Sequence, residues 1–275
     1  MRFASALIDG APRAVAVEDG QAIPLAGVAE LGLDTPTSVL AAAPLDRDAA
    51  VPLDSVTLRP VVPAPGKVIC VGLNYREHVA ESLRDEPDYP VLFTKFASSL
   101  AGPYDPLPAP AESSKIDYEG ELAVVIGRHA RRVSKDDALN AIAGYSVAND
   151  LSMRDFQHRS HQWLQGKAWD ASTPVGPYLV TPDELNGDPL RIQTIVNGET
   201  VQDATTDLMI FDVATLIAVI SEFCTLVPGD LILTGTPGGV GVRRDPPLLL
   251  APGDVVAVEV GGVGRIENTM KEEAR

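Results

Sequence analysis

Asp117-Tyr118-Glu119-Gly120-Glu121-Leu122-Ala123-Val124-Val125-Ile126 carries acids straight into an apolar run. The stretch reads as a strand entering a buried sheet. Successive side chains on a strand point to opposite faces, so Glu119 and Glu121 share one face while Tyr118 and Gly120 take the other. Two carboxylates at that spacing repel unless a cation or a proton intervenes, and a buried, unpaired carboxylate is costly. A bound divalent metal accounts for the pair; the alternative is two solvated acids at the edge of a sheet.

Working outward, Ser134 with Asp137 forms a capping-box signature for a helix carrying Ala138, Leu139, Ile142 and Ala143, with Gly144 as its stop. Tyr145 to Asn149 follows as a strand that ends at Asp150. The separation from the glutamates lets the intervening helix return the chain to the same sheet, which makes Asp150 a candidate third ligand; Asp117, on the face of Glu119, remains open as another. Three carboxylates with no nearby cysteine or histidine are hard ligands, so Mg²⁺ or Mn²⁺ suits them better than zinc.

Upstream, Val68 to Gly72 and Val91 to Phe96 read as strands, with Asn74 to Glu81 helical or loop-like between them and a polar, proline-bearing stretch, Arg84 to Pro90, suited to a lid. Arg59 to Gly66 holds three prolines and a glycine and should be extended and helix-resistant. A domain boundary is placed there, with a small β-rich unit over residues 1–62 and the larger unit over 63–275. Residues 2 to 25 read as a meander with turns at Asp9-Gly10 and Asp19-Gly20. Downstream, Asn197-Gly198 marks a hairpin, Asp212 caps an apolar helix reaching about Phe223, and Leu231 to Leu233 and Asp254 to Val260 are late strands. Strands outnumber helices and are often joined by turns, which predicts an α+β, predominantly β architecture and not a doubly wound sheet.

The 275 residues carry 38 acids against 22 bases, a formal charge of −16. That balance argues against phosphate-backbone binding and against an anionic membrane surface. The sequence lacks a signal-like start and any apolar run long enough for a span, and its two cysteines do not form a disulfide framework, so the expectation is a cytoplasmic protein without nucleic-acid or membrane partners.

Other residues invite chemistry. His78 and Glu81 stand three apart, which on a helix sets a carboxylate beside an imidazole able to deprotonate water. His158 and His161, with His129, would be needed for a zinc reading, but their context resembles an exposed polar face. Lys167 could hold an anionic substrate group. Thr234 to Gly241 follows a strand but lacks the Gly-Lys-Ser/Thr of a phosphate loop; it reads as a tight backbone loop whose amides and hydroxyls aim at an oxyanion.

Taken together, the chain from about Val68 to Asn268 resembles the fumarylacetoacetate hydrolase family. The resemblance rests on Val71-Gly72-Leu73-Asn74-Tyr75 with His78 and Glu81, Lys95-Phe96, Tyr118 to Leu122, Asn149-Asp150 with Arg154-Asp155 and Gln157, Gly166-Lys167, Pro174 to Pro177, and Pro228-Gly229-Asp230 through Pro237. It implies a mixed β-sandwich roll, a homodimer, and Mg²⁺ or Mn²⁺ held by Glu119, Glu121 and Asp150. It further implies His78, Glu81 and Lys167 as catalytic residues, with Tyr75, Arg154, Gln157 and Thr236 holding a small 2-oxo acid. The branch it is most similar to contains acylpyruvate hydrolases and 2-hydroxyhepta-2,4-diene-1,7-dioate isomerases. Hydrolysis of a carbon–carbon bond in a 3-acylpyruvate, through a metal-stabilised enolate, is the leading expectation. Oxaloacetate-type decarboxylation or dienedioate isomerisation on the same site is the alternative, and a non-catalytic metal-stabilised module a third. Some acylpyruvate-cleaving relatives carry arginine where this chain has Leu73.

Overall fold

A computed structural model describes residues 1–273. The strand Gly120–Ile126 is buried along its whole length. It lies inside a twelve-stranded sheet, antiparallel to both Ile142–Asn149 and Leu231–Leu233. Both of its faces are covered. Ala123 and Val125 pack with Phe3, Cys70, Leu179 and Leu231 on one side. Val124 and Ile126 pack on the other with Leu216, Ile217 and Ile220 of the helix Val213–Phe223. A strand buried on both faces needs apolar residues at consecutive positions, which explains the uninterrupted run in the sequence. No helix among the described residues is long and apolar enough to cross a membrane.

A second, five-stranded sheet stacks on the first, with Ile192, Val258, Val260 and Ile266 facing Leu122, Val147 and Val180. The molecule is mostly β, as the balance of strands and turns predicts. Gly120 sets the closeness of the two layers: a Cβ there would lie 2.2 Å from Thr194 Oγ1. The predicted Asn197-Gly198 turn joins Arg191–Val196 to Glu199–Thr205, with both turn residues at positive φ.

The N-terminal meander forms as expected, Arg2–Ile8, Ala11–Glu18 and Gln21–Pro24. Its first strand pairs with Thr173–Val180, so the meander extends the main sheet. One of its faces holds a small cluster of its own around Ala4, Ala6, Val15 and Leu58, while Phe3 and Ala14 join the main core. The proline-rich stretch is irregular, yet Val61 and Val62 are fully buried and Val61 N–H donates to the carbonyl of Val175.

One helix is shorter than the sequence predicts. Ser134 Oγ accepts from Asp137 N–H as a cap should, but the helix covers Lys135–Ala138, a 3₁₀ turn follows, and Ile142 already belongs to the strand Ile142–Asn149. Gly144 is no helix stop. A Cβ there would lie 2.4 Å from the carbonyl oxygen of Val180, so the glycine is needed where two strands approach.

Asn74 fastens three segments that carry the site. Its Nδ2 donates to the carbonyls of Phe211, at 3.0 Å, and Thr234, at 2.7 Å, while its Oδ1 accepts from Phe211 N–H at 2.8 Å. The side chain is fully buried. Asn74→Ala leaves three backbone groups without partners and is expected to cost about 2–4 kcal/mol. The measurement is the urea unfolding midpoint at unchanged m-value, and a loss under about 1 kcal/mol would contradict this role.

Candidate active site

The register of one strand pair assembles the acids. Gly120 pairs with Asn149 and Glu121 with Ala148, and the ladder continues as Asp150 N–H donates to the Glu119 carbonyl at 2.9 Å. Glu119 and Asp150 are therefore cross-strand neighbours, with Glu121 two residues along the same face. One oxygen from each of the three lies within 4.8 Å of the others, and all three residues are buried. This is the set expected from the sequence.

Buried cations surround these acids. Lys167 Nζ bridges Glu119 Oε2, at 2.6 Å, and Asp150 Oδ2, at 2.7 Å. Lys95 Nζ donates to Asp150 Oδ1 at 2.6 Å and to the carbonyl of Leu151. Arg154 reaches Glu119 Oε1 through Nη1 at 2.7 Å and Asp117 Oδ2 through Nε at 2.8 Å. Four carboxylates thus meet three cations, and among the described residues Glu121 is the one without an ion-pair partner. The hydrogen bond it accepts among the described residues comes from Gly235 N–H, at 2.7 Å.

The charge states follow from this arrangement. Burial opposes ionisation of Glu119, but the charges of Lys167, Arg154 and His78 outweigh it and hold the carboxyl down at about 2. Burial and the neighbouring Asp150 and Glu119 push Glu121 well above the usual carboxylate range. Burial also works against a charged Lys167, yet Asp150 and Glu119 keep its ammonium above its ordinary value. A divalent cation fits: the donor set is all oxygen, and Glu121 is a buried carboxylate lacking a positive partner.

His78 and Glu81 meet as their helical spacing predicts, on the helix Arg76–Glu81. His78 Nδ1 lies 2.7 Å from Glu81 Oε1, and Glu81 Oε2 accepts from Gly239 N–H at 2.8 Å. The glycine loop differs from its expected use. Its amides hold the protein's own carboxylates, Gly235 to Glu121, Gly239 to Glu81, and Gly241 and Val242 to Asp117. Gly235, at φ +98°, has room for no side chain: a Cβ would fall 2.7 Å from that of Asn74. Asp117 is therefore a strut for Arg154 and this loop, set apart from the three-acid cluster.

A cavity of about 220 Å³ opens over this cluster. His78, Glu119, Arg154, Gln157, Lys167 and Thr236 all line it, as the sequence reading expects of site residues. Arg154 Nη2 is buried and has no hydrogen-bond partner among the described residues. Thr236 Oγ1 donates to the Gly120 carbonyl and accepts from Gln202 Nε2. Glu121 and Asp150 lie beneath the floor. Tyr75 is not brought into this group. It is buried among Leu122, Val147 and Met209, away from the cavity lining, because its neighbours along the chain turn it into the core.

In the sequence Lys95 stands out only through its place in a matching dipeptide. A lysine at the inner end of a β-branched and aromatic strand, Val91–Lys95, is the signal that could have found it. Arg84, Arg243 and Trp163 carry no expected role in the sequence, and His158 reads there as part of an exposed polar face, yet all four line the cavity. Burial and the positive charges of Arg154, Arg84 and Arg243 push the His158 imidazole below its ordinary value. His129 and His161 are exposed and line no part of this site.

Residues 67–271 match the family model described as fumarylacetoacetate (FAA) hydrolase, C-terminal. Mitochondrial oxaloacetate tautomerases are among the similar proteins: that of Homo sapiens is 48% identical and that of Rattus norvegicus 47%, each over 221 residues covering 79% of this chain and 70% of the relative. Among solved structures, a 2-hydroxyhepta-2,4-diene-1,7-dioate isomerase from Mycobacterium marinum superimposes with a TM-score of 0.83 at 35% identity, over 100% of both chains. A fumarylacetoacetate hydrolase from Exiguobacterium antarcticum gives a TM-score of 0.87 at 36% identity, over 99% of this chain and 100% of that one.

Proposed function

This chain belongs to the fumarylacetoacetate hydrolase family, and on that footing we propose that it catalyses the keto–enol tautomerisation of a small 2-oxo acid with Mg²⁺ or Mn²⁺ bound. The observation that carries the reading is that one cavity is lined both by Glu119, one of three buried acids gathered within reach of a single ion, and by His78, whose Nδ1 is held by Glu81. The names of the 47% and 48% identical relatives support tautomerisation over the hydrolysis that led from sequence.

Glu119, Glu121 and Asp150 would hold the cation, which supplies Lewis-acid stabilisation of negative charge on the substrate's C2 oxygen. Arg154 and Gln157, which both line the cavity, bind the adjacent carboxylate. Lys167 keeps the like-charged Glu119 and Asp150 together and presents a fixed positive charge to the oxygen. With Nδ1 committed to Glu81, the other nitrogen of His78 is available to move a proton at C3. In ketonisation C3 gains a proton from His78 while the enol hydroxyl gives one up to solvent, and His78 takes a proton back from solvent, so atoms and charge balance over the cycle.

Cleavage of an acylpyruvate is the second reading, favoured by the same His78–Glu81 pair, which could activate water in place of protonating carbon. Oxaloacetate freshly dissolved in one tautomer, with saturating Mg²⁺, tests the proposal by the rate at which enol absorbance relaxes. Acceleration without pyruvate release is expected. Pyruvate formation would point to decarboxylation, and turnover of acylpyruvates alone would point to hydrolysis. No acceleration with either Mg²⁺ or Mn²⁺ would sink the tautomerase reading.

A further inference from the structure

Cations at the floor and at the mouth of the cavity are engaged differently. At the floor, Lys167 and Arg154 are bound to carboxylates of the protein itself. At the mouth, Arg84, Arg243 and His158 are exposed and face the same space. The Arg84 guanidinium stands 5.9 Å from the Trp163 ring, and the nearby Glu86 is taken by Arg76. Arg243 donates to a neutral partner, the carbonyl of Ser82, at 3.3 Å. Neither arginine has an ion-pair partner among the described residues, although the chain carries 38 acids against 22 bases.

A single exposed arginine is ordinarily solvated and carries little meaning. Two that converge on one opening, in a chain of charge −16, make a local positive field that attracts an anion. Between these charged groups the lining includes the apolar side chains of Val71, Phe93, Trp163, Val240 and Val242. That is the profile of a slot for a short carbon chain with a negative group at each end.

We propose that Arg84 and Arg243 receive a second carboxylate at the far end of the substrate, so that the protein selects a 2-oxo dicarboxylate over a 2-oxo acid with a neutral tail. The proposal rests on the tautomerase reading for the chemistry at the floor. Guanidinium and carboxylate match in geometry as well as charge. The two arginines also belong to the segments that carry the reacting groups. Arg84 follows the helix that bears His78 and Glu81, and Arg243 ends the turn whose amides hold Asp117. A carboxylate clasped between them would draw the helix and the glycine loop together over the substrate.

The test compares wild type with the double variant Arg84→Gln/Arg243→Gln, both exposed positions whose loss leaves the core untouched. Tautomerisation of oxaloacetate is measured against that of phenylpyruvate, which carries the same 2-oxo acid end and a neutral tail. In parallel, calorimetry with Mg²⁺ compares malate with 2-hydroxybutyrate, two non-reacting chelators that differ in the distal carboxylate. Wild type is expected to prefer the dicarboxylate in both pairs, and the double variant to lose that preference by roughly tenfold or more, the scale of one charge-assisted contact. Equal binding of malate and 2-hydroxybutyrate by wild type, or a preference that survives in the variant, overturns the assignment. If malate preference is present and collapses in the variant while neither oxo acid is tautomerised, the arginine pair stands and the tautomerase reading falls.

Discussion

Replacing Glu121 with Gln is expected to abolish divalent-cation binding and lower kcat/KM by roughly 10³-fold or more, while making the metal-free protein more stable. Both effects have one cause. Glu121 is a fully buried carboxylate beside Asp150 and Glu119, whose cationic partners are already committed to those two acids. Without a cation, its charge costs desolvation and like-charge repulsion. Glutamine keeps the acceptor for Gly235 N–H and removes the charge. The melting midpoint without metal should rise by about 2–5 °C, on the scale of 1–2 kcal/mol for a chain of this size. Saturating Mg²⁺ should raise the wild-type midpoint, by about 2.7 kcal/mol of stability at a hundred times Kd, and leave the variant unmoved. A variant that keeps its Mg²⁺-dependent midpoint shift and its turnover would show that Glu121 is not a ligand.

Replacing His78 with Ala should lower kcat by about 10²–10⁴-fold, the usual contribution of a positioned acid–base group, without altering the Mg²⁺-induced shift in melting midpoint. The separation of the two readouts is the point of the experiment. His78 lines the cavity, while Glu119 and Asp150 are tied to Lys95, Lys167 and Arg154 and Glu121 accepts from Gly235 N–H. Glu81→Gln is expected to be milder. Gly239 N–H would still anchor that side chain, but the negative charge that steadies a protonated imidazole would be gone. If His78→Ala retained near wild-type tautomerisation, proton transfer would have to be assigned to another group, and if it lost Mg²⁺ binding the residue would be part of the cation site.

The local pattern made much of the site legible. Strand alternation put Glu119 and Glu121 on one face, and three-residue helical spacing paired His78 with Glu81, because both depend on the backbone period alone. Helix caps at Ser134 and Asp212 were readable for the same reason, since each bonds within its own turn. Gly144 was misread because glycine at a helix end and glycine at a crowded strand crossing look alike in sequence. The carbonyl of Val180, which decides between them, is far along the chain. Tyr75 stood in a matching motif, yet its side chain turns into the core.

The sequence by itself determined the chemical inventory: which strand carries acids into a core, that those acids are hard oxygen ligands, and that a histidine and a glutamate stand one helical turn apart. Only the tertiary structure decided what the inventory meets. The register of Gly120 against Asn149 brought Asp150 beside Glu119, and Lys95 and Lys167 arrived from other strands and turns to leave Glu121, among the described residues, as the carboxylate of the cluster without an ion-pair partner. The chain fold likewise gathered Arg84 and Arg243 at one mouth. The reason is the range of the forces involved. Backbone geometry repeats over a few residues and is written locally, whereas a balance of buried charge is a sum over side chains whose closeness is set by packing the whole chain.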